Sequence, residues 1–276
     1  MNNDPRPIGV FDSGVGGLSV LRALQARLPA ENFLYVADQA HVPYGPRPLT
    51  EVRAFAEGIT RYLLSQQAKA IVVACNTASA AALHYLRRIL PHVPFIGMEP
   101  AVKPAAEHTR SGVVGVLATP ATFQGALYAS VVERFAQGTR LLEDTCEGLV
   151  QHIEAGHLRH PATRRILERA LRPMLAEGMD TVVLGCTHYP FVIPLIQEIV
   201  GPNVRVIDPA PAVARQTERV LKARDALRQE ATPGTTRYYT TASNPQPTAT
   251  IMANLLGHPV TVERLVWRGG RLLPSR

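Results

Sequence analysis

The chain has 276 residues, 46% hydrophobic and 18% charged, with a formal net charge of +7 and a pI near 9.7. That length and balance fit one large or two medium globular domains and exclude a disordered or fibrous chain. No apolar run nears the ~20 residues of a membrane helix, and Met1-Asn2-Asn3-Asp4-Pro5 lacks the basic and apolar regions of a signal peptide, so a cytoplasmic protein is expected.

Residues 1–7 read as a loose end, and Ile8 to Phe11 as a first buried strand. Asp12-Ser13-Gly14-Val15-Gly16-Gly17 then turns into an amphipathic helix, Leu18 to Leu28. Its glycines allow the backbone to approach a ligand, and the helix start offers free N–H groups. The segment is neither a dinucleotide fingerprint nor a P-loop, since G-x-G-x-x-G and Lys-Ser/Thr are both missing. Asp12 and Ser13 either touch a substrate or catalytic group, or Asp12 only caps the helix.

Phe33 to Ala37 is the second strand. The loop from Asp38 to Pro48 contains Val42-Pro43-Tyr44-Gly45-Pro46-Arg47, whose shape is fixed by proline and glycine. It either sets backbone amides at a ligand or is a plain rigid turn. A long helix, Leu49 to Gln67, leads to a strand, Ile71 to Cys75, a helix, Thr77 to Leu90, and a strand, Phe95 to Met98.

Around Glu99 to Gly112 the chain crosses into a second half, opened by the strand Val113 to Leu117. Thr119 and Thr122 stand at the next helix start, where hydroxyls and free N–H groups can hold a carboxylate; capping alone would also explain Thr119. Gln151 to His157 reads as a helix end bearing Glu154 and two histidines. An amphipathic helix from Pro161 to Glu177, with a kink possible at Pro173, precedes the strand Thr181 to Cys186. A strand from Val204 to Ile207, a helix from Ala212 to Gln229 and a strand-and-loop region from Pro233 to Pro247 follow.

One stretch is written twice. Ile71-Val72-Val73-Ala74-Cys75-Asn76-Thr77 matches Val182-Val183-Leu184-Gly185-Cys186-Thr187-His188. At the same offset Pro91, Val93, Ile96 and Pro100-Ala101-Val102 meet Pro202, Val204, Ile207 and Pro211-Ala212-Val213. Upstream, Gly9-Val10-Phe11-Asp12-Ser13 is similar to Gly115-Val116-Leu117-Ala118-Thr119. The expected fold is α/β: two similar parallel-sheet α/β domains related by pseudo-two-fold symmetry, with the active site in the cleft between them. In an open parallel sheet, ligands bind beyond the carboxyl ends of the strands, where each cysteine sits. The expected domains are residues 1–98 plus 210–276, and residues 99–209.

There are three cysteines and no C-x-x-C pair, which argues against a disulfide framework. Cys186 and His188 alone do not make a structural zinc site. Cys146, set in Glu143-Asp144-Thr145-Cys146-Glu147, lies between acids that disfavour a thiolate, so it reads as structural. The positive charge admits a nucleic-acid partner, but Arg159, Arg164, Arg165, Arg169 and Arg172 spread around one helix and no RNP-type motif appears. A solvated helix face is the stronger reading.

A thiolate is a nucleophile and a base, and a helix N-terminus helps it form. Two thiols on opposite sides of a cleft could take a proton from a carbon and return one to the other face, inverting a stereocentre. A cysteine hydrolase built from Cys186, His188 and Glu154 is the rival chemistry, but it gives no reason for Cys75 or for the duplication. Two inert buried thiols are the third possibility, against which stand the polar residues following each cysteine.

Four motifs in order, Asp12-Ser13-Gly14-Val15-Gly16-Gly17-Leu18, Pro43-Tyr44-Gly45, Ala74-Cys75-Asn76-Thr77-Ala78-Ser79 and Gly185-Cys186-Thr187-His188-Tyr189-Pro190, closely resemble the bacterial glutamate racemases. These are the cofactor-independent branch of the aspartate/glutamate racemase superfamily. The tail after about residue 230 adds little to the likeness. The resemblance implies catalytic cysteines at Cys75, acting on D-glutamate, and Cys186, acting on L-glutamate. It implies that Asp12 assists Cys75 and that His188, held by Glu154, assists Cys186. Substrate contacts then fall on Asp12, Ser13, Tyr44, Gly45, Asn76, Thr77, Thr119, Thr122, Thr187 and His188. It further implies no pyridoxal phosphate or metal, a homodimer, and D-glutamate supplied to peptidoglycan synthesis. An aspartate racemase differs by one methylene of substrate length and stays open, as does a basic nucleic-acid-associated protein.

Overall fold

The computed structural model describes residues 3–275. The chain runs β1 (Ile8–Asp12), α1 (Leu18–Arg27), β2 (Phe33–Ala37), α2 (Leu49–Ser65), β3 (Ala70–Val73), α3 (Asn76–Ile89) and β4 (Phe95–Gly97). It continues through α4 (Val102–His108), β5 (Val113–Ala118), α5 (Pro120–Phe123), α6 (Ala126–Phe135), β6 (Arg140–Asp144), α7 (Leu149–Glu154), α8 (Pro161–Ala176) and β7 (Thr181–Gly185). A 3₁₀ turn, Tyr189–Val192, leads into α9 (Ile193–Val200), β8 (Arg205–Ile207) and α10 (Ala210–Ala223). The chain closes with β9 (Thr236–Thr240), α11 (Pro245–Leu256), β10 (Val262–Arg268) and β11 (Arg271–Pro274).

Two sheets result, ordered β11-β10-β9-β2-β1-β3-β4 and β6-β5-β7-β8. The order β2-β1-β3-β4 in the first lobe recurs as β6-β5-β7-β8 in the second. The register recurs as well. Ile71 pairs with Gly9 and Phe95, and Val182 pairs with Gly115 and Val206. The repeated sequence is therefore a repeated structure.

Side chains alternate across each strand and fill cores on both faces. In the first lobe Val10 and Val72 pack beneath α1, while Phe11, Ile71 and Val73 face α2 and α3. In the second, Val182 and Leu184 face α8 and α9, and Val116 and Val183 face α4 and α6. Strands buried on both faces read as continuous apolar runs, which is why they were visible in the sequence.

Several expectations shift. The strand-end cysteines lie one or two positions past the strands, in the strand-to-helix turns. The segment expected to be a loose end covers residues 1–7, of which 1 and 2 lie outside the described residues. Residues 4–7 are tied down: Lys69 Nζ donates to Asp4 O at 2.7 Å, Asn32 Nδ2 to Pro5 O at 3.0 Å, and Lys69 N to Pro7 O at 2.9 Å. The region from Pro233 to Pro247 holds β9 but then opens helix α11. Strands β6, β10 and β11, unforeseen from sequence, lie at or next to a sheet edge, are largely half-buried or exposed, and so lack an apolar run. The outermost strand, β11, runs antiparallel to β10. Among the basic residues of α8, Arg164 pairs with Glu198 and Arg172 with Glu168. Among the described residues no helix is long and apolar enough to cross a membrane.

Candidate active site

Both sheets end their central strands at the same cavity. Asp12 closes β1 and Ser13 follows; Cys75 follows β3 by two residues; Thr119 follows β5, and Cys186 follows β7. Ser13 and Thr119 occupy matching places in the two lobes, as do Cys75 and Cys186. The cavity of about 20 Å³ is lined by Ser13, Tyr44, Gly45, Cys75, Asn76 and Thr77 from the first lobe and by Thr119, Cys186, Thr187 and His188 from the second. Pro43 and Gly185, members of two of the quoted motifs, and Val150, which the sequence did not mark, complete the wall. That volume admits a single water.

Cys75 is the N-cap of α3, its Sγ accepting from Ala78 N–H at 3.4 Å. The orphan amides and the positive helix end favour negative charge on sulfur. Against that, burial drives the Cys75 thiol well above the ordinary thiol range, and Asp12 beside it pushes the same way. Asp12 is fully buried. Its Oδ2 accepts from Gly17 N–H at 2.8 Å and Gly14 N–H at 3.3 Å. Burial raises its carboxyl, while nearby His188 and the Gly17 amide oppose the rise. Asp12 thus ties down the glycine loop that starts α1 and stands beside Cys75.

Cys186 has a different companion. His188 Nδ1 lies 3.7 Å from its Sγ, and His188 Nε2 lies 2.5 Å from Glu154 Oε1. Burial works against charge on His188, but the bonds to Cys186 and Glu154 outweigh it and hold the ring protonated well above the ordinary range. Burial likewise opposes charge on Glu154, yet its bond to His188 leaves the carboxylate below its ordinary range. An imidazolium–carboxylate pair therefore backs one thiol, and a carboxyl group backs the other.

Glu154 belongs to the second lobe but is gripped by the first. Val15 N–H donates to its Oε1 at 2.8 Å and Gln39 Nε2 to its Oε2 at 2.7 Å. Further bonds cross the cleft from Ser19 Oγ to Thr187 O at 2.8 Å, from Thr187 Oγ1 to Asp12 Oδ1 at 3.4 Å, and between the Thr77 and Thr119 hydroxyls at 2.9 Å. The glycine loop makes room for this closure. A Cβ on Gly14 would meet Glu154, and one on Gly16 would fall 2.4 Å from His188 Nδ1.

The remaining candidates divide. Asn76 is buried with neither its Oδ1 nor its Nδ2 bonded, and buried amides are rarely left unpaired without a ligand to meet. Thr122 stands behind the wall, its hydroxyl 3.0 Å from that of Thr119. Tyr44 lines the cavity but commits its hydroxyl proton to Asp38 at 2.6 Å. Cys146 is buried in the core that also holds Cys186, where burial and then Asp144 push its thiol up. Sequence reasoning missed Gln39 and the Val15 amide as partners of Glu154. The position of Gln39 just past the carboxyl end of β2 was the available signal. All three cysteines are free thiols, and among the described residues no group of three or more His, Cys, Asp or Glu could hold a metal ion.

Residues 8–217 match the family model described as Asp/Glu/Hydantoin racemase. The chain belongs to that family. The racemase is 54% identical over 261 residues to glutamate racemase from Pseudomonas aeruginosa, covering 94% of this chain and 97% of that one. Among solved structures it is similar to a glutamate racemase isoform, RacE1, from Bacillus anthracis, with a TM-score of 0.86, 31% identity and coverage of 96% and 98%. It is also similar to Escherichia coli glutamate racemase in complex with L-glutamate and an activator, with a TM-score of 0.82, 31% identity and coverage of 96% and 100%.

Proposed function

We propose that this racemase interconverts L-glutamate and D-glutamate by a two-base reaction at the α-carbon. The observation that carries the reading is that Cys75 and Cys186, from opposite lobes, line one cavity. The glutamate racemases it resembles along nearly its whole length support the choice of substrate.

In the L-to-D direction the Cys186 thiolate takes the α-proton, breaking the C–H bond on one face. The Cys75 thiol delivers its proton to the electron pair on the opposite face, and the new C–H bond inverts the centre. One proton has then passed from Cys75 to substrate and one from substrate to Cys186; exchange with solvent on opening restores the start. The D-to-L direction exchanges the two roles. The His188 imidazolium, steadied by Glu154, stands beside the Cys186 sulfur. The Asp12 carboxylate keeps a proton on Cys75 until substrate accepts it. Both isomers have equal free energy, so the site need only lower the barrier. The Asn76 amide, unbonded in the closed site, and the Ser13, Thr77 and Thr119 hydroxyls that line the same cavity are placed to donate to the carboxylate whose charge grows as the α-proton leaves.

We read residues 1–98 plus 210–276 as one domain and 99–209 as the other, because β9, β10 and β11 extend the first sheet. Free thiols at the reaction centre suit a reducing compartment, the cytoplasm. Supply of D-glutamate to peptidoglycan and a homodimer are the parts of this reading carried by the family likeness.

The Cys186–His188–Glu154 chain has the connectivity of a cysteine hydrolase triad, and the two chemistries separate on Cys75. Purified protein given L-glutamate in heavy water, without added cofactor, should form D-glutamate carrying deuterium at the α-carbon, read by proton NMR and chiral chromatography. Turnover of aspartate with glutamate inert would replace the substrate. Activity surviving Cys75→Ala would favour the hydrolase. Salt-dependent DNA binding without racemisation would favour the nucleic-acid reading.

A further inference from the structure

Asp38 follows β2, is fully buried, and is bonded on both carboxylate oxygens. Its Oδ2 accepts from the Tyr44 hydroxyl at 2.6 Å and lies 2.8 Å from His41 Nδ1. Its Oδ1 accepts from Thr241 Oγ1 at 2.8 Å and from Trp267 Nε1 at 2.8 Å. One oxygen thus holds the loop whose Pro43, Tyr44 and Gly45 line the cavity. The other holds the C-terminal segment, through the residue after β9 and a residue of β10. Thr241 Oγ1 also accepts from Ala40 N–H at 2.8 Å, so the segment grips the start of the loop directly.

An aromatic cluster reinforces the same junction. The His41 ring stacks on Phe55 with centroids 3.8 Å apart, and Trp267 meets the edge of His41 at 5.4 Å. Phe55 also lies 5.7 Å from Tyr44 and 5.9 Å from Trp267. Neither Thr241 nor Trp267 falls within residues 8–217 that match the family model. Hydrogen bonds to a buried carboxylate are stronger than neutral ones, and a loop so held is preorganised for its ligand.

We infer that Thr241 and Trp267 are positioning residues for the substrate loop, acting through the Asp38 carboxylate. The inference rests on the racemase reading of the cavity. The C-terminal strands are in this view a brace for the active site as well as an extension of the sheet.

Trp267→Phe keeps an aromatic ring but removes the N–H donor, and Thr241→Val removes the hydroxyl at constant shape. Each should raise KM for L-glutamate by about tenfold while kcat changes by less than about twofold, because a loosened loop weakens ground and transition states alike. Thr241→Ser, which keeps the hydroxyl, should restore KM. Trp267 is the sole tryptophan, so its emission should also shift saturably as L-glutamate is titrated into the wild-type enzyme. A lowered melting temperature with KM and kcat per folded enzyme unchanged would make both residues merely structural and overturn the inference. Unchanged KM with unchanged emission would overturn it too. A wild-type enzyme that racemises nothing overturns the racemase reading itself; one that racemises normally while both variants match it overturns only the brace.

Discussion

Gly14 and Glu154 touch across the cleft so closely that a Cβ on Gly14 would lie 2.0 Å from Glu154 Oε1. The two residues come from different lobes, and the contact exists only when the lobes are together. Gly14→Ala should therefore leave the fold intact but hold the lobes apart or displace Glu154 and His188. A displacement of about 1 Å near the chemistry costs on the order of 100-fold in rate, so kcat/KM should fall by about that factor with little change in melting temperature. A double-mutant cycle checks the cause: in a Glu154→Ala background, adding Gly14→Ala should cost almost nothing more.

The two thiols should be distinguishable by direction. With Cys186 intact, Cys75→Ala should still wash the α-proton of L-glutamate slowly into heavy water, but not that of D-glutamate. Cys186→Ala should do the reverse. Each variant should lose racemisation by about a thousandfold or more, at the scale of general acid–base catalysis. NMR on single isomers measures both quantities, and exchange of the same isomer by both variants would reverse or void the assignment of faces.

The His188–Glu154 pair gives a stability signature in pH. His188 is raised above its ordinary 6.5, so its contribution is complete below about pH 6.5 and is lost as pH rises through the folded-state value. Glu154 is lowered below its ordinary 4.5, so its contribution is complete above about pH 4.5 and is lost as pH falls through the folded-state value. The pair should stabilise most between those two values. The stability difference between wild type and Glu154→Gln, from urea unfolding at several pH values, should be greatest in that window and shrink on both sides. A difference flat across pH would contradict the pairing.

A second buried pair lies far from the chemistry. Lys69 Nζ sits 2.6 Å from Glu31 Oε2, both side chains almost fully enclosed. Glu31 Oε1 also accepts from Arg228 N–H at 2.8 Å, joining the first strands to the chain after α10. Lys69→Met strands a buried carboxylate at a cost of about 3–5 kcal/mol, a drop of roughly 10 °C in melting temperature for a chain of this size. Lys69→Met with Glu31→Leu should recover most of the loss, because no lone charge remains. Calorimetry of the single and double variants measures it, and activity at low temperature should be preserved in both.

The sequence by itself determined the buried central strands of both lobes, the duplication and the two thiols, but not the outer strands β6, β10 and β11, whose exposed positions break the apolar run. Ile71–Val73 and Val182–Leu184 are buried on both faces of their sheets, and that burial writes an apolar run any reading detects. The shared register followed from the same local pattern, because one residue of slip would turn every side chain to the wrong face. Cys75 and Cys186 were marked by their place after such runs. Only the tertiary structure decided that Gly14 and Gly16 make room for Glu154 and His188, that Gln39 reaches across to Glu154, and that Thr241 and Trp267 meet at Asp38. The Val15–Glu154 bond spans 139 positions and the Asp38–Trp267 bond 229. Such contacts arise from how finished elements dock, and docking leaves no periodicity in the residues on either side of the gap.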